Sequence, residues 1–529
     1  MPIDSEAAYR AVQSRDARFD GTFYTGVLTT GIYCRPSCSA RTPHRHNVDF
    51  YPSAAAAQRA GFRACKMCRP DATPGSADWD IRADLAGRAI RLIADGVIDR
   101  EGVSGLARQL GYSERQISRA LVSEMGAPPL ALARAQRAQT ARILLENTDL
   151  AASDVAFAAG FASIRQFNDT IREVFASTPT QLRQQPPGRI SEPGTIDLRL
   201  AYRPPMDLPI TLNYLAQRAI AGIEHYDGLT LRRTMRLPHG AGLVALTPAA
   251  GHVEARLRLA DHRDLAAAVA RIRRLLDLDA DPQAVDEVLS AQPALAELIR
   301  RHPGLRSPGA VDGFEMAVRA VVGQQVSVAG ARTVLGRIVS EYGTNAFETG
   351  SEWLLFPEPA ALAGIDPTTL PMPAARGRTI VTIAEAMAIG ELNLTAGSDR
   401  EQTRQDLLAL RGVGPWTADY LQMRAIGDPD IYLGSDLGIK HAVAALAVTR
   451  AGLDPDATAP FDPVEAAKLD PDATARVGSI PAAPADPVAA APFDPVAAAP
   501  WRSYLTHHLW ASLHSAEPKK PKTRKPHEE

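Results

Sequence analysis

Residues 407–443 of the chain read LLALRGVGPWTADYLQMRAIGDPDIYLGSDLGIKHAV. Apolar residues at helical spacing flank a Gly-Val-Gly turn at 412–414, so the segment predicts a helix, a hairpin and a second helix. Backbone N–H groups at the start of a helix can bind a phosphate without reading the base sequence. Asp436 follows the second helix. Tight turns are common and a single Asp is often a helix cap, so this segment needs support from the rest of the chain.

The four cysteines form two close pairs, Cys34/Cys38 and Cys65/Cys68. Two short-spaced pairs of thiolates suit the tetrahedral coordination of Zn²⁺, because each pair can supply one edge of the tetrahedron. Two disulfides or four buried thiols are the alternatives. We expect zinc, since the N-terminal residues lack the apolar region of a secretory signal and a cytoplasmic, reducing location disfavours disulfides.

Two segments between residues 80 and 185 share one plan. Each has apolar residues at helical spacing interrupted by a single glycine, Gly111 in the first and Gly160 in the second. Helix, tight turn and helix, repeated once, predict a tandem helix-turn-helix unit, with a plain helical bundle as the alternative. Arg115 and Arg119 lie on the predicted outer face of a recognition helix, where they would contact DNA.

Net charge, residue patterns and repeats in the rest of the sequence indicate the other domains. The chain has 529 residues and a formal net charge of −2, so any nucleic-acid surface must be local. Residues 231–260 alternate apolar and polar side chains like antiparallel strands, and a helical pattern follows from about residue 281. LDPDATA and APFDPV each occur twice within 451–499, which predicts a solvated, mostly disordered insertion. No apolar run is long enough to span a membrane.

Together these patterns predict a multidomain, mainly α-helical protein with small α+β units. We place a zinc-binding domain at 1–75, a tandem helix-turn-helix domain at 80–185, a linker at 186–194, a small mixed α/β domain at 195–280, a helical domain with the hairpin at 281–515, interrupted by the insertion at 451–499, and a basic tail at 516–529.

The string FYTGVLTTGIYCRPSCSARTPHRHNVDFYPSAAAAQRAGFRACKMCRPD, residues 23–71, resembles the N-terminal domain of the Ada methylated-DNA repair family. The resemblance implies that Cys34 is both a zinc ligand and the irreversible acceptor of a methyl group from a DNA methylphosphotriester. It places DNA contacts on Thr30, Arg41 and Arg63, and Ser39 replaces one contacting arginine of the family. A purely structural zinc site is the alternative.

The tandem helix-turn-helix unit resembles the AraC-type DNA-binding domain, which follows the zinc domain in Ada. The resemblance implies a transcription activator that binds promoter DNA and RNA polymerase. Methylation would convert an anionic sulfur into a neutral thioether, and weaker repulsion from phosphates would then raise DNA affinity. The Ada methyltransferase for O6-alkylguanine needs a further cysteine, and all four cysteines here are assigned to zinc.

The hairpin segment, together with PWRSYLTHHLW at 500–510 and VVGQQVSVAGA at 321–331, resembles the helix-hairpin-helix DNA glycosylases, and among them the AlkA-type 3-methyladenine glycosylases. The resemblance implies that Asp436 is the catalytic carboxylate and that Gln325 is the wedge that fills the space left by a flipped base. It assigns the base pocket to Trp416, Tyr420 and Trp510, and DNA contacts to Gly412 and Gly414.

These resemblances predict a fused protein for the response to alkylation damage: a methylphosphotriester sensor and transcription regulator joined to a glycosylase for alkylated purines in double-stranded DNA. Bifunctional glycosylases place a Schiff-base lysine at the position of Trp416, so we expect hydrolysis without strand cleavage. The alternative is a binding-only regulator whose glycosylase half is inactive. The polar Gln325 and the insertion between Asp436 and the PWRSY segment leave that alternative open, and Leu437 replaces a pocket aromatic, which would weaken the selection of a cationic base.

Overall fold

The computed structural model describes residues 4–70, 85–183, 194–347, 352–450 and 491–513. Within these ranges helices predominate and two larger sheets are present, which confirms the multidomain, mainly helical prediction. None of the helices in the described ranges has the length and apolar character needed to cross a membrane. The predicted linker, most of the insertion and the basic tail lie outside the described residues.

The N-terminal sheet has four short strands. They are β1 (Tyr24–Val27), β2 (Ile32–Cys34), β3 (Val48–Tyr51) and β4 (Arg63–Ala64), with helices at Ser5–Gln13 and Ala54–Arg59. The order is β3-β1-β2-β4. The pair β2 and β4 is parallel, so the residues that follow these two strands meet at one edge of the sheet.

The helix-turn-helix region is entirely helical. Its helices are Leu85–Ala94, Val97–Leu110, Glu114–Met125, Pro129–Asn147, Ala152–Ala158, Ile164–Phe175 and Pro179–Arg183. Gly111 and Gly160 end a helix in each half with φ of 75° and 84°, the left-handed conformation that glycine adopts without strain. Both predicted turns are therefore confirmed.

A second sheet follows. Its strands are β5 (Ile196–Ala201), β6 (Glu224–Tyr226), β7 (Leu231–Leu237), β8 (Gly240–Ala249) and β9 (His252–Leu259), and helices run at Leu208–Ala216 and Leu265–Leu276. All pairs are antiparallel, in the order β5-β9-β8-β7-β6. The alternating pattern that predicted these strands reflects one face against the core and one more exposed face.

The C-terminal region is a helical array with one two-residue strand pair, Thr344–Asn345 with Leu354–Leu355. Its helices are Pro282–Ser290, Pro293–Arg301, Gly313–Val322, Val328–Tyr342, Pro359–Leu362, Ala374–Ala388, Arg400–Ala409, Pro415–Leu421, Leu437–Arg450 and Arg502–Ser512, with a π-helical turn at Gln422–Ile426. The hairpin predicted at 412–414 joins two of these helices.

The regulatory and C-terminal halves share buried surface. Tyr33 of the zinc domain, Leu144 of the helix-turn-helix region and Leu257 of the second sheet belong to one apolar cluster. The helix Leu85–Ala94 also docks on the helical array, where Arg88 and Arg91 donate to the carbonyls of Gly397 and Ala396 at 2.8 and 2.6 Å. These contacts fix the relative positions of the sensor and the helical array.

One expectation about the insertion is wrong. Residues 491–499 were expected to be solvated, but Phe493 and Ala498 are buried in the core formed with helices 282–290 and 293–301. The side chain of Gln292 exchanges hydrogen bonds with the backbone of Asp494 at 2.7 and 3.0 Å. The aromatic ring gives this copy of APFDPV an apolar surface to bury, and the copy at 459–464 lies outside the described residues.

We predict that Gly397→Ala loosens the docking of helix Leu85–Ala94. A Cβ at residue 397 would lie 2.5 Å from the Leu92 side chain, and overpacking of this kind costs about 1–3 kcal/mol. Thermal unfolding followed by circular dichroism should show a lower midpoint. Gly336→Ala is the matched control, because its Cβ would meet Ala221 at 3.8 Å and its helix would gain propensity. Equal midpoints for Gly397→Ala and wild type would contradict this account.

Candidate active site and metal centre

The four cysteine sulfurs converge at the edge of the N-terminal sheet. Cys34 ends β2 and Cys65 follows β4, and the parallel pairing of these strands brings the two residues together. All four sulfurs lie within 4.8 Å of one another. Cys65 and Cys68 are buried, whereas Cys34 and Cys38 are partly exposed. The cluster therefore has a closed side and a solvent side.

The donor set fits a divalent metal ion. Hydrogen bonds with Cys38 raise the pKa of Cys34, and hydrogen bonds from Cys34 and Cys68 lower the pKa of Cys38, so the crowded sulfurs concentrate negative charge on one of them. A cation at the centre would hold all four as thiolates, and four sulfurs at these separations match the geometry of a structural metal site. The structure thus brings the predicted ligands together.

A buried carboxylate supports the loop between the first two ligands. Asp20 accepts hydrogen bonds from the backbone N–H and the hydroxyl of Ser37 at 3.0 and 2.6 Å, and Arg35 lies 3.3 Å away. Burial raises the pKa of Asp20 while the Ser37 hydrogen bonds oppose that rise. The loop is therefore held by specific polar contacts in addition to the sulfurs.

The residues expected to contact DNA around this centre differ in exposure. Thr30 lies exposed in the turn between β1 and β2, Arg41 is exposed, and Arg63 is partly buried in β4 opposite Ile32. In the helix-turn-helix region Arg115 and Arg119 are exposed on helix Glu114–Met125.

The two expected recognition helices have the same start. Ser113 caps helix Glu114–Met125 and Ser163 caps helix Ile164–Phe175, each accepting from the backbone N–H three residues on. Arg165 at the start of the second helix is exposed as well. These surfaces are free of the chain's own core, as a DNA-binding face requires.

Asp436 lies at the centre of a second site in the helical array. Its Oδ2 accepts from the indole N–H of Trp416 at 3.1 Å, and its Oδ1 accepts from the indole N–H of Trp510 at 3.0 Å. The backbone N–H of Ile439 also donates to Oδ1 at 3.1 Å, so the carboxylate caps helix Leu437–Arg450. Three donors fix both oxygens while the residue stays partly exposed.

The three aromatic residues expected at the base pocket are in contact. Trp416 stacks on Tyr420 with ring centroids 5.1 Å apart, and Tyr420 lies 6.4 Å from Trp510 at a tilted angle. A fourth ring, Tyr214, is nearly parallel to Trp510 at 6.3 Å. Tyr214 could not be identified from the sequence, because no local motif sets it apart.

Arg424 orients the aromatic cluster and was also missed. It is buried in the π-helical turn Gln422–Ile426, and one of its nitrogens donates to the hydroxyls of Tyr214 and Tyr420 at 2.6 and 3.2 Å. Its other nitrogens donate to the carbonyls of Pro308 and Gly309. The only signal available from sequence was an arginine within an otherwise apolar stretch.

The hairpin lies beside Gln325, the residue expected to fill the space that a flipped base leaves in the DNA duplex. Gly412 has a φ of 91°, and any Cβ there would collide with the side chain of Thr379. Gln324 donates to the Gly412 carbonyl at 3.4 Å, so its neighbour Gln325 is held close to the hairpin. Gln325 is exposed at the tip of a turn with a φ of 54°, an uncommon conformation for a residue other than glycine.

Gly414 and Leu437, two further residues singled out in the sequence, lie at the starts of two helices of the site. Gly414 is the N-cap residue of helix Pro415–Leu421, and Trp416, the second residue of that helix, donates to the carboxylate. Leu437 is 55% exposed next to Asp436, so the position of the missing pocket aromatic is open to solvent.

We predict that the purified chain binds one divalent metal ion per molecule through the cysteine cluster. Native mass spectrometry should show one ion for wild type and none for Cys65→Ser, since loss of a buried ligand leaves three sulfurs and an open position. Ser37→Ala, which removes only a hydrogen bond to Asp20, should retain the ion. Retention of the ion by Cys65→Ser would show that it binds elsewhere.

Three family models match the chain. The metal binding domain of Ada matches residues 7–71, a helix-turn-helix domain matches 106–185 and the AlkA N-terminal domain matches 197–312. These segments contain the cysteine cluster, most of the tandem helix-turn-helix region and the second sheet, respectively. They agree with the resemblances drawn from the sequence.

Single relatives match the halves. DNA-3-methyladenine glycosylase 2 of Escherichia coli (strain K12) is 34% identical over 247 residues, covering 46% of this chain and 85% of that protein. The bifunctional transcriptional activator/DNA repair enzyme Ada of the same organism is 32% identical over 181 residues, covering 34% of this chain and 49% of that protein.

A third relative matches nearly the whole length of the chain. A probable bifunctional transcriptional activator/DNA repair enzyme AlkA of Mycobacterium tuberculosis (strain CDC 1551 / Oshkosh) is 49% identical over 518 residues, covering 97% of both proteins. This alignment spans both halves of the chain, so it includes the cysteine cluster and the aromatic site. The chain therefore belongs to the family of bifunctional transcriptional activator/DNA repair enzymes of the AlkA type.

Proposed function

We propose that the protein is a DNA glycosylase for alkylated purines such as 3-methyladenine, fused to a transcription regulator that senses DNA methylphosphotriesters. The observation that supports the first activity most directly is the carboxylate of Asp436, held by two indole N–H groups within a cluster of aromatic rings. A fixed anion beside a flat aromatic surface suits hydrolysis of a glycosidic bond to an extruded base.

The chemistry needs little acid catalysis. Alkylation at a ring nitrogen makes the purine cationic, so the base leaves with the electron pair of the bond to C1′. The deoxyribose then develops positive charge, which the ionised carboxylate of Asp436 stabilises. Water attacks C1′, its oxygen forms the new bond and its proton passes to the carboxylate or to solvent, so the products are the free base and an abasic sugar.

The aromatic rings select the damaged base. A cationic purine stacked on an electron-rich ring gains roughly 0.5–2 kcal/mol per contact over a neutral purine. Trp416, Tyr420 and Trp510 provide such faces next to Asp436. Trp416 stands where a bifunctional enzyme would have its Schiff-base lysine, so we propose hydrolysis without cleavage of the strand. Gln325 and the hairpin glycines Gly412 and Gly414 would hold the distorted duplex.

We predict that Asp436→Asn abolishes most of the activity. A neutral amide cannot balance the charge on the sugar, so single-turnover release of 3-methyladenine from methylated duplex DNA should fall by about 10²-fold or more. Trp510→Phe keeps an aromatic face but removes the N–H that orients Oδ1, and should cost about tenfold, the equivalent of one hydrogen bond to a charged group.

Asp366→Asn is the control for this experiment, because that carboxylate is exposed and outside the site. It should release base at the wild-type rate. Equal release by wild type and Asp436→Asn would remove Asp436 from the mechanism. Complete inactivity of the wild-type protein on methylated DNA would instead support the alternative, a regulator with an inactive glycosylase half.

The cysteine cluster supports the second activity. Zinc, when bound, would keep the sulfurs deprotonated and nucleophilic at neutral pH. We assign the acceptor role to Cys34, one of the two partly exposed sulfurs and the one that matches the acceptor position in the Ada family. Its sulfur attacks the methyl carbon of a phosphotriester, the S–CH₃ bond forms as the CH₃–O bond breaks, and the phosphate leaves as an ordinary diester anion.

Methyl transfer would act as the switch for regulation. It converts one anionic sulfur into a neutral thioether on the solvent side of the cluster, so repulsion from DNA phosphates falls. The resemblance to Ada assigns DNA contacts to Thr30, Arg41 and Arg63, and the exposed helices with Arg115 and Arg119 would read the promoter. RNA polymerase is the partner that such an activator would recruit.

We predict that exposure to DNA containing methylphosphotriesters adds 14 Da, one methylene equivalent, to a single peptide that contains Cys34, because only the partly exposed sulfurs are reachable. Peptide mass spectrometry measures the site. Asp436→Asn serves as the control and should be methylated normally, because it alters only the other half. Methyl found on Cys38 or absent altogether would contradict the assignment and support a purely structural metal site.

A further inference from the structure

Two residues that carry a buried polar atom without a partner line one small cavity behind the aromatic cluster. Arg306 and His507 both line a cavity of about 40 Å³. The Nε of Arg306 and the Nε2 of His507 are buried, and neither has a hydrogen-bond partner among the described residues. A buried polar atom without a hydrogen-bond partner destabilises the fold, so two such residues at one cavity point to a polar group that binds there.

The cavity adjoins the proposed base pocket, because Tyr214 and Trp510 form part of its wall. The ring of His507 stands edge-on to both, with centroid distances of 5.2 Å to each. The indole of Trp510 reaches Asp436 with its N–H and contacts His507 with its ring. A purine is about as long as an indole, so a base stacked on Trp510 with its sugar at Asp436 would extend its far edge to this cavity.

The two groups differ in what they can bind. The terminal nitrogens of Arg306 donate to the carbonyls of Ala280, Arg203 and Pro205, which fixes the guanidinium and leaves its Nε–H as a donor of set direction. Burial, together with the charges of Arg424 and Arg218, lowers the pKa of His507 well below its usual value. His507 is therefore a neutral imidazole, with one donating and one accepting nitrogen.

We propose that this cavity receives the 6-oxo group of an extruded alkylguanine and that His507, with Arg306, is a specificity-determining residue. The proposal rests on the proposed glycosylase function. A carbonyl oxygen has two lone pairs and accepts from both the fixed Arg306 N–H and the imidazole N–H. The 6-amino group of 3-methyladenine cannot accept from Arg306, so it leaves that donor unpaired. Selectivity against unmodified guanine still comes from the aromatic faces, which favour the cationic base.

Competition within one substrate tests the proposal. DNA treated with a methylating agent contains 7-methylguanine and 3-methyladenine, and chromatography of the released bases gives the ratio of their initial rates from a single reaction. This ratio does not depend on how much of a variant is folded. His507→Phe keeps the ring contacts and removes both nitrogens, and should lower the ratio of 7-methylguanine to 3-methyladenine about tenfold. His507→Gln restores a hydrogen-bonding amide and should recover most of the ratio.

His508→Phe is the matched control. His508 is equally buried on the same helix and its ring nitrogens also have no hydrogen-bond partner in the described chain, but it does not line the cavity. It should leave the ratio unchanged. An unchanged ratio in His507→Phe, or equal falls in His507→Phe and His508→Phe, would overturn the proposal. Failure of the proposed function looks different, since wild type would then release neither base.

Discussion

The architecture of the catalytic half depends on one carboxylate that is held from two distant parts of the chain. Trp416 reaches Asp436 from the hairpin helix, and Trp510 reaches it from the helix that follows the low-complexity insertion. Neither tryptophan alone fixes both oxygens. The helix Arg502–Ser512 must therefore return to the array for the site to form. Its own residues bond to residues 428–431 of the array, and Phe493 and Ala498 pack in the core beside helices 282–290 and 293–301 just before it.

The sensor is joined to the same framework by buried arginines. Arg203 donates to the backbone carbonyl of Asp20, the residue whose carboxylate holds the Cys34–Cys38 loop. Arg306 in turn donates to the carbonyl of Arg203 and lines the cavity behind Trp510. Hydrogen bonds through Asp20, Arg203 and Arg306 thus link the Cys34–Cys38 loop to the wall of the cavity behind Trp510.

The sequence was sufficient wherever local chemistry decides the structure. The cysteine spacing predicted the cluster, and Gly111 and Gly160 marked both turns, because metal ligation and left-handed backbone restrict the residue types that fit. Tyr214, Arg424 and His507 were not identified, since their roles depend on contacts between segments that are far apart in the chain. The composition of residues 491–499 predicted a solvated segment, and that prediction was wrong. One aromatic residue among Ala, Pro and Asp is enough to anchor a segment when the core has space for its ring.

The arginines near the base pocket raise a question of charge, because a site for cationic purines should not itself be cationic. The answer lies in the direction in which the charged and polar groups point. The guanidinium of Arg218 lies 3.8 Å from the centroid of the Tyr214 ring, and Arg424 donates to the hydroxyls of Tyr214 and Tyr420. Both guanidinium groups are thus held against Tyr214. Trp416 and Trp510 instead direct their N–H groups at the Asp436 carboxylate, and the faces of their indole rings are electron-rich. In the proposed function the arginines therefore contact the tyrosines, while the Asp436 carboxylate lies beside the deoxyribose and stabilises the positive charge that develops there as the base departs.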